Sequence, residues 1–141
     1  MALARVPTAW LVLLSLCSVV DLPQPLQVFS YSRCSTCRRA LAWLKDHGIS
    51  HDVTDITETP PSRVQLSKAF DQLRDRKFLF NTSGKSYRAI GAAAIKAMND
   101  GEALDALAAD GKLIKRPFVF TATGEVLVGF NPEVWSDRLE G

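Results

Sequence analysis

Cys34 and Cys37, two cysteines separated by two residues, stand just after the apolar run Leu26-Gln27-Val28-Phe29-Ser30 and just before a helical pattern. No other feature restricts the chain so much. The run has the β-favouring composition of a short strand, and Ser32 to Ser35 makes a turn. Cys37, Ala40, Leu41 and Leu44 then recur at i, i+3, i+4 and i+7, the buried stripe of an amphipathic helix. Gly48 ends that helix after His47, and Ile49 to Ile56 alternates enough to form a second strand. A dithiol therefore occupies the strand-to-helix junction of a strand–helix–strand unit.

The rest of the chain supplies helices and then a hairpin. Thr59-Pro60-Pro61 starts a helix whose apolar positions Val64, Leu66, Phe70 and Leu73 lead up to Arg76. Phe78 to Ser86 reads as a loop, broken at Asn81 to Gly84. Two short helices are predicted over Ala89 to Met98 and Glu102 to Ala109, separated by Asn99-Asp100-Gly101. Phe118 to Thr121 and Glu125 to Val128 are strand-like and joined by so short a turn that they form an antiparallel hairpin. Pro132 opens a last helix through Trp135 and Leu139. The order β-α-β, helices, β-β-α is that of an α/β, thioredoxin-like (glutaredoxin-like) domain. Its mixed sheet is covered on both faces and carries a helical insertion between its halves.

With 141 residues the chain has length for one domain, and a core of that size folds without a disulfide framework or structural metal. A formal charge of +2 gives no general electrostatic case for direct nucleic-acid binding. Cysteines number only three, Cys17, Cys34 and Cys37, which fits a reducing compartment and a cytoplasmic location better than a secreted disulfide scaffold. The run Ala9 to Val20 after Arg5 has the look of a signal-peptide core. It is too short to span a bilayer comfortably, and no small-x-small cleavage site follows it. Residues 1–25 are therefore expected to lie outside the fold, with the domain over 26–141, and no membrane association is expected.

A redox reaction asks for two thiols at this spacing because one must be accessible and partly ionised while the other resolves the mixed disulfide it forms. Cys34 falls just before the first helical turn, where free backbone N–H groups and the positive end of the helix favour thiolate. Cys37 falls on the inward stripe. Arg33, Arg38 and Arg39 flank the pair, and neighbouring cations lower a thiol pKa further. Other readings compete. His47 and His51 superficially complete a Cys2His2 zinc set, but the spacing is short and Gly48 breaks any helix that would carry both. Buried structural cysteines are the second alternative. Gly84-Lys85-Ser86 mimics the end of a phosphate loop, yet Leu79 stands where that motif needs glycine. Arg116-Pro117 precedes Phe118-Val119-Phe120, the place where a thioredoxin-like fold puts a cis-proline facing its dithiol. Arg116 would then lie near Cys34, able to hold an oxyanion or a thiolate.

Three blocks together carry a family resemblance. Tyr31-Ser32-Arg33-Cys34-Ser35-Thr36-Cys37-Arg38, then Leu79 to Lys85 with Tyr87-Arg88, then Lys115-Arg116-Pro117, resemble the arsenate reductase (ArsC)/Spx family with its MgsR-like members, over about residues 26–140. The resemblance implies a thioredoxin-like fold and two functions. In glutaredoxin-linked arsenate reductases one cysteine, matched by Cys34, attacks the oxyanion and arginines bind it; Arg116 matches one of these. Arg88 is a further candidate, and Gly129-Phe130-Asn131 lacks an arginine expected there. Those reductases also lack a second cysteine. The Spx-type branch carries the C-x-x-C, matched by Cys34 and Cys37, and the arginine–proline, matched by Arg116 and Pro117. Its members bind the RNA polymerase α subunit and respond to dithiol oxidation. The expectation is a thiol–disulfide oxidoreductase, arsenate-reductase-like, with a redox-responsive transcriptional regulator as the alternative. Cys34, Cys37 and Arg116 would be catalytic, and Arg38, Pro117 and Arg88 would bind substrate. No tightly bound cofactor or metal is expected, and electrons would come from glutathione, through glutaredoxin, or from thioredoxin.

Overall fold

Alternation along each strand sends neighbouring side chains to opposite faces, so a sheet whose strands are apolar on both faces must be covered on both. A computed structural model, which describes residues 24–140, has this arrangement. Its strands are β1 (Leu26–Ser30), β2 (His51–Asp55), β3 (Phe118–Phe120) and β4 (Val126–Val128). Its helices are α1 (Ser35–Asp46), α2 (Arg63–Gln72), α3 (Lys85–Ile90), α4 (Ala92–Ala97), α5 (Asp100–Ala109) and α6 (Pro132–Leu139). The sheet order is β2-β1-β3-β4. β1 runs parallel to β2 and antiparallel to β3, and β3 runs antiparallel to β4. The fold is thioredoxin-like with a helical insertion between β2 and β3. The predicted apolar extension, apart from Gln24 and Pro25, lies outside the described residues, and so does Cys17. No helix among the described residues is long and apolar enough to cross a membrane.

Two cores follow from the alternation. Val28, Val119 and Leu127 face α1 and α6, where they pack with Ala40, Leu44 and Trp135. Phe29, Phe118 and Val126 face the other way, onto Leu66 and Ala69 of α2, Leu104 and Leu107 of α5, and Leu79, Leu113 and Ile114 of the insertion. The predicted α1 stripe is seated here: Cys37, Ala40 and Leu44 are buried, with Leu41 packed at the margin. Its end is a Schellman closure, in which Ile49 N–H donates to Leu44 O at 3.0 Å and Gly48 N–H to Lys45 O at 3.2 Å. Gly48 takes φ 64°, a conformation that favours glycine.

The insertion departs most from expectation. Where Phe78 to Ser86 reads as loop, a 3-10 turn spans Arg76–Leu79, Phe80 forms an isolated antiparallel bridge with Ile114, and α3 already begins at Lys85. Where one helix was expected over Ala89 to Met98, Gly91 at φ 95° divides α3 from α4. Asn99-Asp100-Gly101 is a helix start rather than a separator. Asn99 Oδ1 accepts from Glu102 N–H at 2.8 Å while Glu102 Oε1 accepts from Asn99 N–H at 3.1 Å, a capping box that opens α5 at Asp100. The second strand is shorter than Ile49 to Ile56. It ends at Asp55, and Ile56 turns into the insertion core. Gly111 fits there because it lacks a side chain: a Cβ would lie 1.7 Å from Ile56 O.

Candidate active site

The turn between β1 and α1 sets the dithiol. Cys34 N–H donates to Tyr31 O at 3.0 Å, and Cys34 is the N-cap residue of α1 with extended backbone. Its sulfur accepts from Cys37 N–H at 3.4 Å, satisfying one of the helix's free amides. Cys34 is partly exposed and Cys37 is fully buried; both are free thiols. The two environments push the thiols apart. Burial works against ionisation of Cys34, but the Cys37 amide and thiol and the Arg116 guanidinium outweigh it, so its pKa is lowered. At Cys37 burial comes first and raises the pKa, reinforced by the Cys34 sulfur, with opposing contributions from the Tyr31 backbone and the Ser30 side chain. One thiol is thereby disposed to be thiolate and its neighbour to keep its proton.

Arg116 arrives from the far side of the insertion. The Arg116–Pro117 peptide bond is cis and stands directly before β3, and Pro117 O accepts from Gly129 N–H at 2.9 Å. The guanidinium carbon of Arg116 lies over the Tyr31 ring, 5.0 Å from its centroid. A cleft of about 670 Å³ opens beside this arrangement and reaches it through Thr36 of α1 and Arg116, although Cys34 is not among its lining residues. Four cationic side chains line it, Arg39, Lys115, Arg116 and Arg138, and no carboxylate does. Of these, Arg138 is paired with Glu125.

Not every expected site residue comes to this place. Cys34, Cys37 and Arg116 come together at the β1–α1 turn, and Pro117 follows Arg116 directly before β3. Arg38 instead donates from Nη1 to Ser32 O at 2.8 Å and is absent from the cleft wall, which Arg39 lines. Arg88, in α3, donates to Ser83 O at 3.0 Å and does not line the cleft. Arg39 and Lys115 went unassigned because their place depends on helix phase and on the path out of the insertion. The basic residues Lys112, Lys115 and Arg116 were the available signal for the second of them. His47 stacks on Trp43, with ring centroids 3.9 Å apart, and its Nδ1 lies 2.8 Å from Trp43 O. His51 Nδ1 lies 2.7 Å from Ile49 O. Among the described residues no group of three or more His, Cys, Asp or Glu side chains comes together as a metal site.

Comparison with known proteins places these features in context. Residues 29–137 match the ArsC family. An uncharacterized protein of Bacillus subtilis (strain 168), YusI, is 39% identical over 116 residues, covering 80% of this chain and 97% of that protein. The regulatory protein MgsR of the same strain is 26% identical over 110 residues, covering 77% of this chain and 86% of MgsR. The crystal structure of a possible arsenate reductase from Streptococcus mutans UA159 superposes with a TM-score of 0.70 at 38% identity, covering 75% of this chain and 91% of that one.

Proposed function

Because this chain belongs to the ArsC family, we propose that it is a thiol-dependent oxidoreductase, arsenate-reductase-like in its chemistry, that works through the Cys34/Cys37 dithiol. The carrying observation is the Cys34 sulfur held at the N-terminus of α1, 3.4 Å from the Cys37 amide, with Cys37 buried beneath it. Cys34 thiolate attacks one sulfur of a substrate disulfide. That S–S bond breaks, a Cys34–substrate disulfide forms, and the departing thiolate takes a proton. Cys37 then loses its proton and attacks the Cys34 sulfur, which releases the second substrate thiol and leaves the Cys34–Cys37 disulfide. Two electrons and two protons from glutathione, through glutaredoxin, or from the dithiol of thioredoxin restore the start. Arg116 stabilises the attacking thiolate. With Arg39 and Lys115 it gives the neighbouring cleft the charge to receive an anionic substrate, an oxyanion awaiting reduction included. Pro117 has no N–H and its carbonyl is taken by Gly129, so what it offers a substrate chain is the flat face of its ring. Arg38 supports the turn through Ser32 O, and Arg88 keeps to the insertion.

Substitution tests the assignment of the two sulfurs. Cys34→Ser abolishes disulfide reduction in a thioredoxin- or glutaredoxin-coupled assay, and Cys37→Ser accumulates a mixed disulfide at Cys34 visible by intact mass. Turnover of Cys34→Ser equal to that of the unaltered chain removes the reading.

A second reading is favoured by the similarity to MgsR, whose name is that of a regulatory protein. Here the same dithiol would be a switch, with oxidation altering the first turn of α1 and hence binding to the RNA polymerase α subunit in the cytoplasm. Capture of the α C-terminal domain that changes with oxidation, in a chain with negligible turnover, selects this reading over the enzymatic one.

A further inference from the structure

Tyr31 touches both partners of the dithiol site without belonging to either. Its carbonyl receives the Cys34 N–H at 3.0 Å, and its ring lies 5.0 Å from the Arg116 guanidinium carbon. An arginine at the mouth of a cleft has several free rotors and a strongly solvated head group, so nothing intrinsic keeps it near a sulfur. An aromatic face within about 6 Å supplies that restraint, because the negative face of the ring attracts the cation. We propose that Tyr31 is a positioning residue for Arg116, its ring holding the guanidinium beside Cys34 while its backbone holds Cys34 itself. The inference rests on the reading above that Arg116 stabilises the Cys34 thiolate.

The rest of the surroundings leave this task to Tyr31. Arg38, on the first turn of α1, is engaged with Ser32 O. Cys37, beneath Cys34, is buried, and its thiol is disposed to stay neutral. Arg116 itself makes no ion pair among the described residues. The tyrosine ring also packs at the margin of the insertion-side core, so a purely structural role has to be separated by experiment. The hydroxyl is not needed for the proposed role, and the face of the ring is.

The test measures the pH profile of Cys34 alkylation by iodoacetamide in the full reduced chain, with the adduct located by peptide mass spectrometry. Tyr31→Leu moves the midpoint up, lowering the rate below the midpoint by about threefold, whereas Tyr31→Phe keeps the original midpoint. In an Arg116→Gln background Tyr31→Leu adds nothing further, as expected for two residues acting through one contact. If Tyr31→Leu fails to fold, pentafluorophenylalanine at position 31 keeps the ring while reversing the charge of its face, and it gives the same upward shift. Identical midpoints for Phe and Leu, an undiminished Leu effect without Arg116, or an unshifted fluorinated variant overturns the proposal. Arg116→Gln with an unchanged midpoint overturns the assigned role of Arg116 as well. A shift in Arg116→Gln with none in Tyr31→Leu overturns the role of Tyr31 alone.

Discussion

The two faces of the sheet are held by different means. On the α1/α6 face three aromatic rings lock together: Phe130 and Trp135 lie 4.9 Å apart, Trp43 and Trp135 5.8 Å, and Trp43 and Phe130 6.3 Å between centroids. Those edge-to-face contacts add to a large apolar burial and seat α1 as one rigid piece. On the other face a broad apolar core holds α2 and α5, and polar clamps add to it where the insertion helices α3 and α4 are short. Arg76 donates to Ile95 O at 3.2 Å and to Met98 O, and pairs with Asp100 at 2.9 Å. The comparison gives each face a task. The aromatic face fixes the helix that bears the sulfurs, and the insertion ends at Lys115 and Arg116, delivering cations to a site it does not build.

Substitutions on the two faces separate their tasks. Trp135→Ala removes the buried ring that makes two of the three aromatic contacts and costs about 3–5 kcal/mol of global stability, read by chemical denaturation. It also loosens the seat of α1 and slows Cys34 alkylation at fixed pH. A loss under about 1 kcal/mol would mean that this face is not the rigid one. Arg76→Met strips the donors from the insertion carbonyls and costs about 1–3 kcal/mol. Its effect is local. Amide exchange rises over α4 and the start of α5, while the Cys34 alkylation profile stays where it was. A change in that profile as large as the one from Trp135→Ala would erase the division between the faces.

Legibility in the sequence follows the same division. α1 was readable because its burial is periodic and its end carries Gly48, and the hairpin was readable because Thr123-Gly124 leaves no other connection. Elements that pack against the sheet over their whole length print their period on the chain. The insertion does not. Gly91 lies just before Ala92-Ala93-Ala94, where helix propensity conceals the break that its positive φ creates. Asp100-Gly101 has the composition of a turn, but the capping box of Asn99 and Glu102 makes it the first turn of a helix. At the site, residue types and spacing single out Cys34 and Cys37, whereas Arg116 and Pro117 are reached only through the order of elements in a thioredoxin-like fold and the family resemblance. Residue types and spacing could not separate Arg38 from Arg39, because consecutive helix positions point about 100° apart and the direction is decided by the carbonyl of Ser32. Lys115 escaped assignment because its place depends on the Lys115 N–H bond to Leu79 O at 2.7 Å, a contact across the insertion.

The most direct test of the dithiol is the acidity of Cys34 in the unaltered reduced chain. Thiolate is the reactive form, so alkylation rises with pH and is half-maximal at the folded-state pKa. Against the upward push of burial, the Cys37 amide and thiol and Arg116 bring that midpoint below that of a free thiol, and raising the ionic strength moves it upward by screening Arg116. A midpoint at or above that of a free cysteine, unmoved by salt, contradicts the account.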